Sequence, residues 1–209
     1  MNITVFGASG KVGQLVVKRL IDEGHRVRAF VHGDAPFSES DQLTIVKGGV
    51  HSAEDIERAL EEAEAVISCL GSWGTPTKDI LSSAMQHIVP EMQRRGIKRI
   101  VSLTGAAAQA PGESFRLRDR LNRRILMLAA RDILVDGEEH LRLLAESGLD
   151  WTVLRSPVMT DATPNGYHLS DVSGSPLETI PRQAVAKAMV DQLADKEHLG
   201  SAVQLRRRR

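Results

Sequence analysis

Short runs of β-branched and apolar residues alternate with longer segments of helical periodicity along most of this chain of 209 residues. Predicted strands lie at Ile3–Phe6, Arg26–Val31, Leu43–Val46, Ala65–Leu70, Ile100–Leu103 and Trp151–Leu154. Predicted helices run from Val12 to Leu20, Ser52 to Leu60 and Asp79 to Arg95, with a longer, interrupted stretch from Phe115 to Glu146. Strands and helices in this order form right-handed βαβ units. We therefore predict an α/β fold with a doubly wound parallel sheet and helices on both faces.

The pattern changes after Arg155, where turn signals rich in proline, glycine and serine surround shorter pieces. A strand, a helix and a final strand are predicted there, over Tyr167–Val172, Pro181–Asp195 and Ala202–Leu205. No linker divides the chain, so residues 1–209 are predicted to form one domain. We interpret residues 156–205 as a substrate-side elaboration at the carboxyl edge of the sheet, and 206–209 as a solvated basic tail.

Three glycines follow the first predicted strand with the spacing Gly7-x-x-Gly10-x-x-Gly13. Gly7 permits a tight turn, Gly10 lets the backbone approach a pyrophosphate, and Gly13 lets the helix pack close to the strand. The helix N-terminus adds N–H donors and the positive end of its dipole. Because the glycines follow a strand, open a helix and precede a second strand, they predict a dinucleotide-binding loop. A purely structural turn is the alternative.

The end of the second predicted strand indicates which dinucleotide is bound. An acidic side chain there would bind the ribose hydroxyls of NAD and repel the 2′-phosphate of NADP. Here Val31 is followed by His32, with Arg28 earlier in the strand and Lys11 in the glycine loop. These residues favour NADP as the cofactor, while the nearby Asp34 keeps NAD open.

Composition argues against several classes of function. Lys plus Arg and Asp plus Glu both number 27, so the formal net charge is zero and neither nucleic acid nor a membrane is predicted as a partner. The single cysteine, Cys69, excludes a disulfide framework and a cysteine-rich metal site, and no metal is predicted. The single cysteine fits a reducing compartment and no long apolar run is present, so a cytoplasmic protein is predicted. We expect a monomer or a homodimer.

The chain resembles the atypical short-chain dehydrogenase/reductase families that have an NAD(P)H-binding domain. The resemblance is carried by four stretches in the family's order: VFGASGKVG, AVISCLGSWG, IKRIVSLTGAA and ESGLDWTVLRSPVMTD. These families include NmrA-like proteins and the biliverdin-IXβ/flavin reductases. The resemblance covers roughly residues 2–195 and implies a Rossmann fold.

The resemblance also implies which residues hold the cofactor. At its phosphates and adenine these are the loop residues Gly7, Ala8, Ser9, Gly10, Lys11, Val12 and Gly13, then His32, and then Gly49 and Val50. Leu70 and Gly71 would follow the ribose, and the nicotinamide would contact Leu103, Thr104, Gly105, Ser156, Pro157 and Val158. Two positions depart from the family. Gly49 stands where relatives frequently carry Asp, and Gly105 where the flavin-reductase branch carries Ser.

The proton donor of ketone-reducing short-chain dehydrogenases is missing from this chain. Those enzymes use Tyr-x-x-x-Lys, whereas the only tyrosine here is Tyr167, followed four residues later by Asp171. Hydride addition to a ketone leaves an alkoxide that needs a positioned donor, whereas a flavin, quinone or conjugated tetrapyrrole delocalises the added charge. The sequence therefore favours a small conjugated acceptor, with FMN or FAD as substrate rather than as a tightly bound group.

Four residues are candidates for the reacting end of the site. Thr104 could hydrogen-bond the nicotinamide amide or the substrate, with a turn residue at the strand end as the alternative. Trp73 could stack on an acceptor ring, with a packing role as the alternative. Arg155 could bind an anionic substrate group, with a structural ion pair as the alternative. His140, in the helix predicted before the sixth strand, is a further catalytic candidate, with a structural role as the alternative.

We formulate three hypotheses of function from the sequence. The first is a reductase that transfers hydride from NADPH to a conjugated acceptor. The second is a non-catalytic NmrA-like sensor that binds NADP(H) and reports its redox state to a protein partner. The third is a sugar-nucleotide epimerase-like enzyme, although such relatives generally keep the tyrosine dyad.

Overall fold

The computed structural model describes residues 1–73, 75, 77–113, 123–124, 127–128, 130–163, 166–175 and 177–208. The strands in this part of the chain are β1 (Asn2–Phe6), β2 (Arg26–Val31), β3 (Leu43–Lys47), β4 (Ala65–Ser68), β5 (Arg99–Gly105), β6 (Asp150–Ser156), β7 (Val158–Thr160), β8 (Tyr167–Ser170), β9 (Thr179–Pro181) and β10 (Ser201–Arg207). Helices with defined bounds are α1 (Lys11–Asp22), α2 (Ala53–Ala59), α3 (Ile80–Arg95), α4 (Arg131–Ala145) and α5 (Arg182–Asp191).

One sheet contains eight of these strands in the order β3-β2-β1-β4-β5-β6-β10-β8. Every neighbouring pair is parallel except β10 and β8, which pair antiparallel at one edge. β7 and β9 form a separate parallel pair. The chain runs to one side of β1 for β2 and β3 and to the other side from β4 onwards. Such a switch point opens a crevice at the carboxyl ends of the strands, where ligands bind in folds of this kind.

Helices cover both faces of the sheet, as the sequence predicts. On one face α1 and α5 pack against each other and bury side chains such as Val16 and Val185. On the other face α2, α3 and α4 bury side chains such as Ile88 and Leu141. The central strands are apolar on both sides because both of their faces are covered.

Local signals set the ends of two helices where the sequence predicts them. Ser52 caps α2, since its hydroxyl accepts a hydrogen bond of 3.2 Å from the backbone N–H of Asp55. α3 ends at Gly96, whose φ of +72° lies in the left-handed region that favours glycine. These caps explain why the sequence locates both helices correctly.

The substrate-side role predicted for residues 156–205 stays a prediction, but the interpretation of the whole segment as an elaboration of the sheet edge is corrected. β7 and β9 lie outside the main sheet, but β8 and β10 are strands of it and α5 is part of the core. Ala184, Val185, Ala188 and Met189 of α5 are fully or almost fully buried, and β10 pairs with β6. The physical reason is that an apolar helix face and an apolar strand gain stability only when they are removed from water.

The basic tail predicted at residues 206–209 is also corrected. Arg206 and Arg207 continue β10 and pair with β8. Arg206 Nε lies 3.2 Å from Glu178 Oε2. Strand pairing and this ion pair therefore hold the first two arginines in the sheet, while Arg209 lies outside the described residues.

The long helical stretch predicted from Phe115 to Glu146 can be compared with the structure over only part of its length. Its second half is α4, and much of residues 115–129 lies outside the described residues. Within the part of the chain that is described, none of the helices has the length and apolar character needed to cross a bilayer.

Candidate cofactor and acceptor site

The glycine loop between β1 and α1 is closely packed at its two ends. Gly7 has a φ of +71°, and a Cβ there would lie 2.9 Å from the carbonyl carbon of Cys69 after β4. At Gly13 a Cβ would lie 2.1 Å from Gly7 O, so the first turn of α1 is in backbone contact with the preceding turn. A Cβ at Gly10 would lie 3.2 Å from the same oxygen, which is a weaker constraint. Glycine is therefore strongly favoured at positions 7 and 13, because any larger residue would require the neighbouring backbone to shift.

α1 presents the positive end of its dipole at this loop. Its N-cap is Gly10, which offers no side chain, and its first turn contains no acidic residue. An anion at this end would therefore meet backbone N–H groups without a competing carboxylate. Lys11 Nζ lies 3.6 Å from Asp161 Oδ2, and both side chains are largely exposed, so this ion pair holds the lysine only weakly.

The predicted pyrophosphate residues divide into two groups by burial. Ser9, Gly10 and Lys11 are exposed. The side chains of Ala8 and Val12 are buried in the core. Any contact that these two residues make with a phosphate is therefore made through the backbone.

The loops predicted to hold the adenosine end of the cofactor follow β2 and β3. His32 is exposed directly after β2. After β3, the backbone N–H of Gly49 donates a hydrogen bond of 2.9 Å to Asp55 Oδ2, and Val50 is partly exposed beside it. This bond, together with a hydrogen bond from Arg58, lowers the pKa of Asp55. The carboxylate of Asp55, in the first turn of α2, thus holds the loop after β3 in place.

A cavity of about 710 Å³ lies beyond the carboxyl ends of β4, β5 and β6. Its described walls come from the loop after β4, the end of β5, α4, the start of β7 and residues 173–206, here called the C-terminal segment. Nine residues that the sequence predicts for the cofactor or the acceptor line it: Leu70, Gly71, Trp73, Leu103, Thr104, Gly105, Ser156, Pro157 and Val158. Three separate segments of the chain are therefore brought to one cavity.

The cavity is mainly apolar, with charged side chains from the C-terminal segment in its wall. Trp73 and Val158 line it while remaining 70% and 67% exposed, so their apolar surfaces are available to a ligand. The charged residues are Glu178, Arg182 and Arg206. Glu178 and Arg206 form an ion pair with each other at 3.2 Å. The cavity can therefore accept a large apolar ring together with a few polar substituents.

Arg155 does not reach this cavity, and its predicted substrate-binding role is corrected. Its side chain is 2% exposed and donates hydrogen bonds of 2.7 and 2.6 Å to the two carboxylate oxygens of Glu113. It also donates to the carbonyl oxygen of Ala108 at 3.2 Å. Burial acts to raise the pKa of Glu113, but the hydrogen bonds from Arg155 and Ala110 outweigh it and lower that pKa. A guanidinium held in this bidentate pair is structural.

His140 is also corrected from a catalytic candidate to a structural residue. It is fully buried in α4, and its Nε2 lies 2.8 Å from Ser102 Oγ in β5. Burial lowers the pKa of His140 to about 4, while the charge of Asp136 acts in the opposite sense. His140 is not among the described residues of the cavity wall.

Tyr167 lies away from the described cavity wall, on the edge strand β8. Its hydroxyl donates a hydrogen bond of 2.5 Å to Asp191 Oδ2 in α5. Burial raises the pKa of Tyr167, and the bond to Asp191 adds to the increase. The hydroxyl of the only tyrosine in the chain is therefore committed to a contact between two elements of the scaffold.

A buried carboxylate that the sequence analysis misses lies behind the cavity wall. Asp136 of α4 is 4% exposed and accepts a hydrogen bond from Ser72 in the loop after β4. It also accepts hydrogen bonds from the N-terminal turn of α3. The sequence indicates only that Asp136 is buried, because it lies four residues from His140 on the apolar face of a predicted helix, and does not indicate its partners.

Further lining residues are missed because they belong to the segment after Val158, among them Glu178, Arg182, Gln204 and Arg206. Gln204 of β10 donates a hydrogen bond of 3.0 Å to the carbonyl oxygen of Ala106, which follows β5. The turn-rich pattern of this segment carries no signal for its strand neighbours. Its contribution to the cavity is therefore visible only in three dimensions.

Comparison with protein families agrees with this geometry. Residues 7–196 match the family model described as NAD(P)H-binding. The chain belongs to the NAD(P)H-binding family. The match begins at Gly7, the first glycine of the loop, and extends past α5.

Solved structures share the fold of this NAD(P)H-binding protein over nearly its whole length. The oxidoreductase ylbE from Lactococcus lactis is 17% identical, with a TM-score of 0.81, and the match covers 100% of this chain and 92% of that one. A short-chain dehydrogenase/reductase from Veillonella parvula in complex with NADP is 20% identical, with a TM-score of 0.77 and coverage of 98% and 94%. ChuY, an anaerobillin reductase from Escherichia coli O157:H7, is 18% identical, with a TM-score of 0.78 and coverage of 99% and 97%. At these identities the likeness shows the fold.

Curated relatives of this NAD(P)H-binding protein match it over a shorter length. The photosystem II assembly factor Ycf39 from Synechocystis is 30% identical over 106 residues, which are 48% of this chain and 32% of that protein. A 3-beta-hydroxysteroid dehydrogenase from Mycolicibacterium neoaurum is 28% identical over 112 residues, 47% of this chain and 30% of that protein. The match thus spans about a third of the length of these relatives.

The residues present fit the cofactor that defines the family. The turn at Gly7 and Gly13 brings the start of α1 to the carboxyl edge with no side chain in the way. Farther along that edge, Gly49, Gly71 and Gly105 each have open space where a Cβ would lie. Successive strand-end loops therefore present backbone along one line, which suits a long dinucleotide that is bound mainly through main-chain groups.

Proposed function

We propose that this protein is a reductase that uses NADPH to reduce a conjugated small molecule, such as a free flavin or a quinone. The observation that carries the proposal is that the predicted nicotinamide residues Leu103, Thr104 and Gly105 line the same cavity as the exposed indole of Trp73. A volume of about 710 Å³ lies within the usual range of small-molecule sites.

The missing tyrosine dyad supports this class of acceptor. When bound, NADPH supplies a hydride, so that the acceptor gains two electrons, NADP⁺ is left, and water provides the accompanying proton. A conjugated ring spreads the added negative charge over several atoms, so the chain does not need a fixed proton donor for an alkoxide. The contribution of the protein is then chiefly orientation and exclusion of water.

The residues of the cavity have distinct proposed roles. Leu103 and Leu70 provide apolar surface that keeps water from the reacting rings. Trp73 stacks on the acceptor. Thr104, buried at the end of β5, offers its hydroxyl to the cofactor carboxamide or to a polar atom of the acceptor.

We further propose that NADPH is preferred over NADH. His32 is exposed at the end of β2, where its ring N–H can donate to a 2′-phosphate. Asp34, the carboxylate that would favour NADH, lies 3.9 Å from Lys47 Nζ, which reduces its repulsion of a phosphate. Arg28 is partly buried and lies 3.6 Å from Glu61, so it contributes less. Neutral imidazole is a weaker phosphate partner than arginine, so the preference is expected to be modest.

Turnover assays with a matched pair of variants test the reductase. NADPH oxidation is followed by absorbance with FMN, FAD and small quinones such as menadione. Trp73→Ala is expected to lower kcat/KM for the acceptor about tenfold with NADPH affinity unchanged, as one lost stacking contact predicts. Leu177→Ala is the control, because Leu177 is 90% exposed and is not among the described lining residues.

One outcome would replace the reductase by the sensor hypothesis. The similarity to an assembly factor, Ycf39, and the missing dyad both support a non-catalytic protein that binds NADP(H). If NADPH and NADP⁺ both bind but no flavin or quinone is reduced, the reductase proposal fails and the sensor is favoured.

A further inference from the structure

The loop after β4 that carries Ser72 and Trp73, here called the cavity loop, is held from behind by α4. Asp136 Oδ2 accepts hydrogen bonds from Ser72 Oγ at 2.5 Å and from Leu81 N at 3.1 Å. Its Oδ1 accepts from Ser82 N at 2.8 Å and from Ser82 Oγ at 2.7 Å. These four bonds replace the hydration that the buried carboxylate loses. One group therefore joins the cavity loop, the start of α3 and α4.

Two consecutive residues of the cavity loop differ sharply in exposure. Ser72 is 1% exposed, whereas Trp73 is largely exposed and lines the cavity. The carbonyl oxygen of Ser72 accepts a hydrogen bond of 2.8 Å from Thr75 Oγ1, and the carbonyl oxygen of Thr75 accepts one from Lys78 Nζ. Ser72 therefore fixes the cavity loop to the protein interior, and the adjacent Trp73 places its indole at the cavity.

α4, which carries Asp136, has a fixed position against β5. A Cβ on Gly137 would lie 2.7 Å from Thr104 Oγ1, so the helix backbone is already close to the reacting end of the site. One turn further along, His140 Nε2 lies 2.8 Å from Ser102 Oγ. The carboxylate thus extends from a helix that packs closely against the strand.

We propose that Asp136 is a positioning residue that acts through Ser72 to set the indole of Trp73 relative to Thr104. This inference rests on the proposed function, in which Trp73 stacks on the acceptor. The geometry requires an acceptor at both positions, because Oδ2 faces the backbone N–H of Leu81 and Oδ1 faces that of Ser82, and each oxygen also accepts from a serine hydroxyl. An asparagine at this position would turn its own N–H₂ donor towards one of these backbone N–H groups.

Two serine variants separate positioning from stability alone. Ser72 and Ser82 both donate to Asp136, but only Ser72 belongs to the described cavity wall. Ser72→Ala and Ser82→Ala each remove one hydroxyl from the same acceptor, while Asp136→Asn perturbs both bonds. For each variant we measure the urea midpoint and the NADPH affinity. We also measure KM and kcat for the quinone or flavin that serves as the hydride acceptor.

Ser72→Ala is expected to raise KM for the acceptor about threefold to tenfold, as one lost hydrogen bond predicts, with NADPH affinity unchanged. Ser82→Ala is expected to leave KM unchanged at a similar loss of stability. Asp136→Asn is expected to raise KM at least as much as Ser72→Ala. The double variant is expected to have the same KM as Asp136→Asn alone, because both substitutions act through one hydrogen bond. Equal changes of KM in the two serine variants would overturn the proposal.

A fluorescence measurement that needs no turnover separates this inference from the proposed function. The chain has two tryptophans, and acrylamide quenches mainly Trp73 because Trp151 is buried. Ser72→Ala is expected to lower the anisotropy of the quenchable emission, and Ser82→Ala is not. If this difference appears but no acceptor is reduced, Asp136 still positions the loop and the reductase proposal alone fails. Equal anisotropy in the two variants would refute the positioning role.

Discussion

Gly13 brings the first turn of α1 into backbone contact with the turn after β1. Helix propensity alone would favour alanine there by about 1 kcal/mol. The added Cβ, however, would lie 2.1 Å from Gly7 O and 2.8 Å from Ala8 Cα, and neither backbone atom can move alone. Overpacking costs about 1–3 kcal/mol, and contacts this short with backbone atoms belong at the upper end of that range. After the gain in helix propensity, we expect Gly13→Ala to lower the free energy of unfolding by about 2 kcal/mol and to weaken NADPH binding. Urea unfolding and cofactor titration measure the two effects.

A second glycine provides the control for this experiment. Gly33 has no atom within 4 Å of the place where a Cβ would lie. Gly33→Ala is therefore expected to change the free energy of unfolding by less than about 0.5 kcal/mol. Equal stability of the Gly13 and Gly33 variants would contradict the close contact of α1 with the turn.

His140 makes stability depend on pH. Burial lowers its pKa to about 4 in the folded protein, against about 6.5 in an unfolded chain. The unfolded chain therefore binds more protons below pH 6.5, and stability falls as the pH drops from 6.5 towards 4. The difference corresponds to about 3 kcal/mol over this window. We expect His140→Gln, whose amide can still reach Ser102, to lose this part of the dependence in urea unfolding at pH 7 and pH 4.5.

The exposed His32 is the matched control for this pH series. Its replacement by glutamine is expected to leave the dependence as in the parent protein, because the side chain of His32 stays exposed when the chain folds. If His140→Gln and His32→Gln follow the same curve, burial of His140 is not the source of the acid sensitivity.

Single residues could be assigned from the sequence where the neighbouring backbone determines their role. Gly7 and Gly13 are of this kind, because their spacing within a strand–turn–helix unit already specifies the contact. Arg155 and Asp136 are not, because their partners Glu113 and Ser72 are 42 and 64 residues away. One sequence does not reveal which distant polar groups meet in the interior.

At the scale of elements, Tyr167 joins the edge strand β8 to α5 through its hydrogen bond to Asp191. This bond is only partly buried, so its loss is expected to cost about 1 kcal/mol. We expect Tyr167→Phe to lower the free energy of unfolding by that amount and to leave NADPH-dependent reduction within twofold. A tenfold loss of kcat with intact NADPH binding would instead assign the tyrosine to catalysis.

The order of elements could be predicted as far as β6, since each strand and helix there carries its own local signal. Continuous apolar runs mark the buried strands, and Ser52 and Gly96 mark helix ends. The position of β10 between β6 and β8 could not be predicted, because a short apolar strand does not specify its neighbours. The cavity wall was therefore predictable at the ends of β4, β5 and β6 and not on the side of β10.

At the scale of the whole molecule, cofactor binding is expected to stabilise the fold, because the loops after β1, β2 and β3 come together only in the folded chain. A ligand present at 100 times its Kd adds about 2.7 kcal/mol when it binds the folded state alone. We expect NADPH to raise the unfolding temperature more than an equal concentration of NADH does, as measured by differential scanning fluorimetry. His32→Asp is expected to reduce or reverse this difference, and a larger shift with NADH in the parent protein would refute the NADPH preference.

The packing of α5 against α1 has a consequence for how the chain is made. α1 leaves the ribosome early, but the helix that covers Val16 and Leu20 is translated only after residue 181. Throughout most of synthesis the nascent chain therefore carries an uncovered apolar face, which is the kind of surface that chaperones bind and that aggregates when they are scarce. A message cut short before α5 would yield a fragment for degradation, even though its glycine loop is complete.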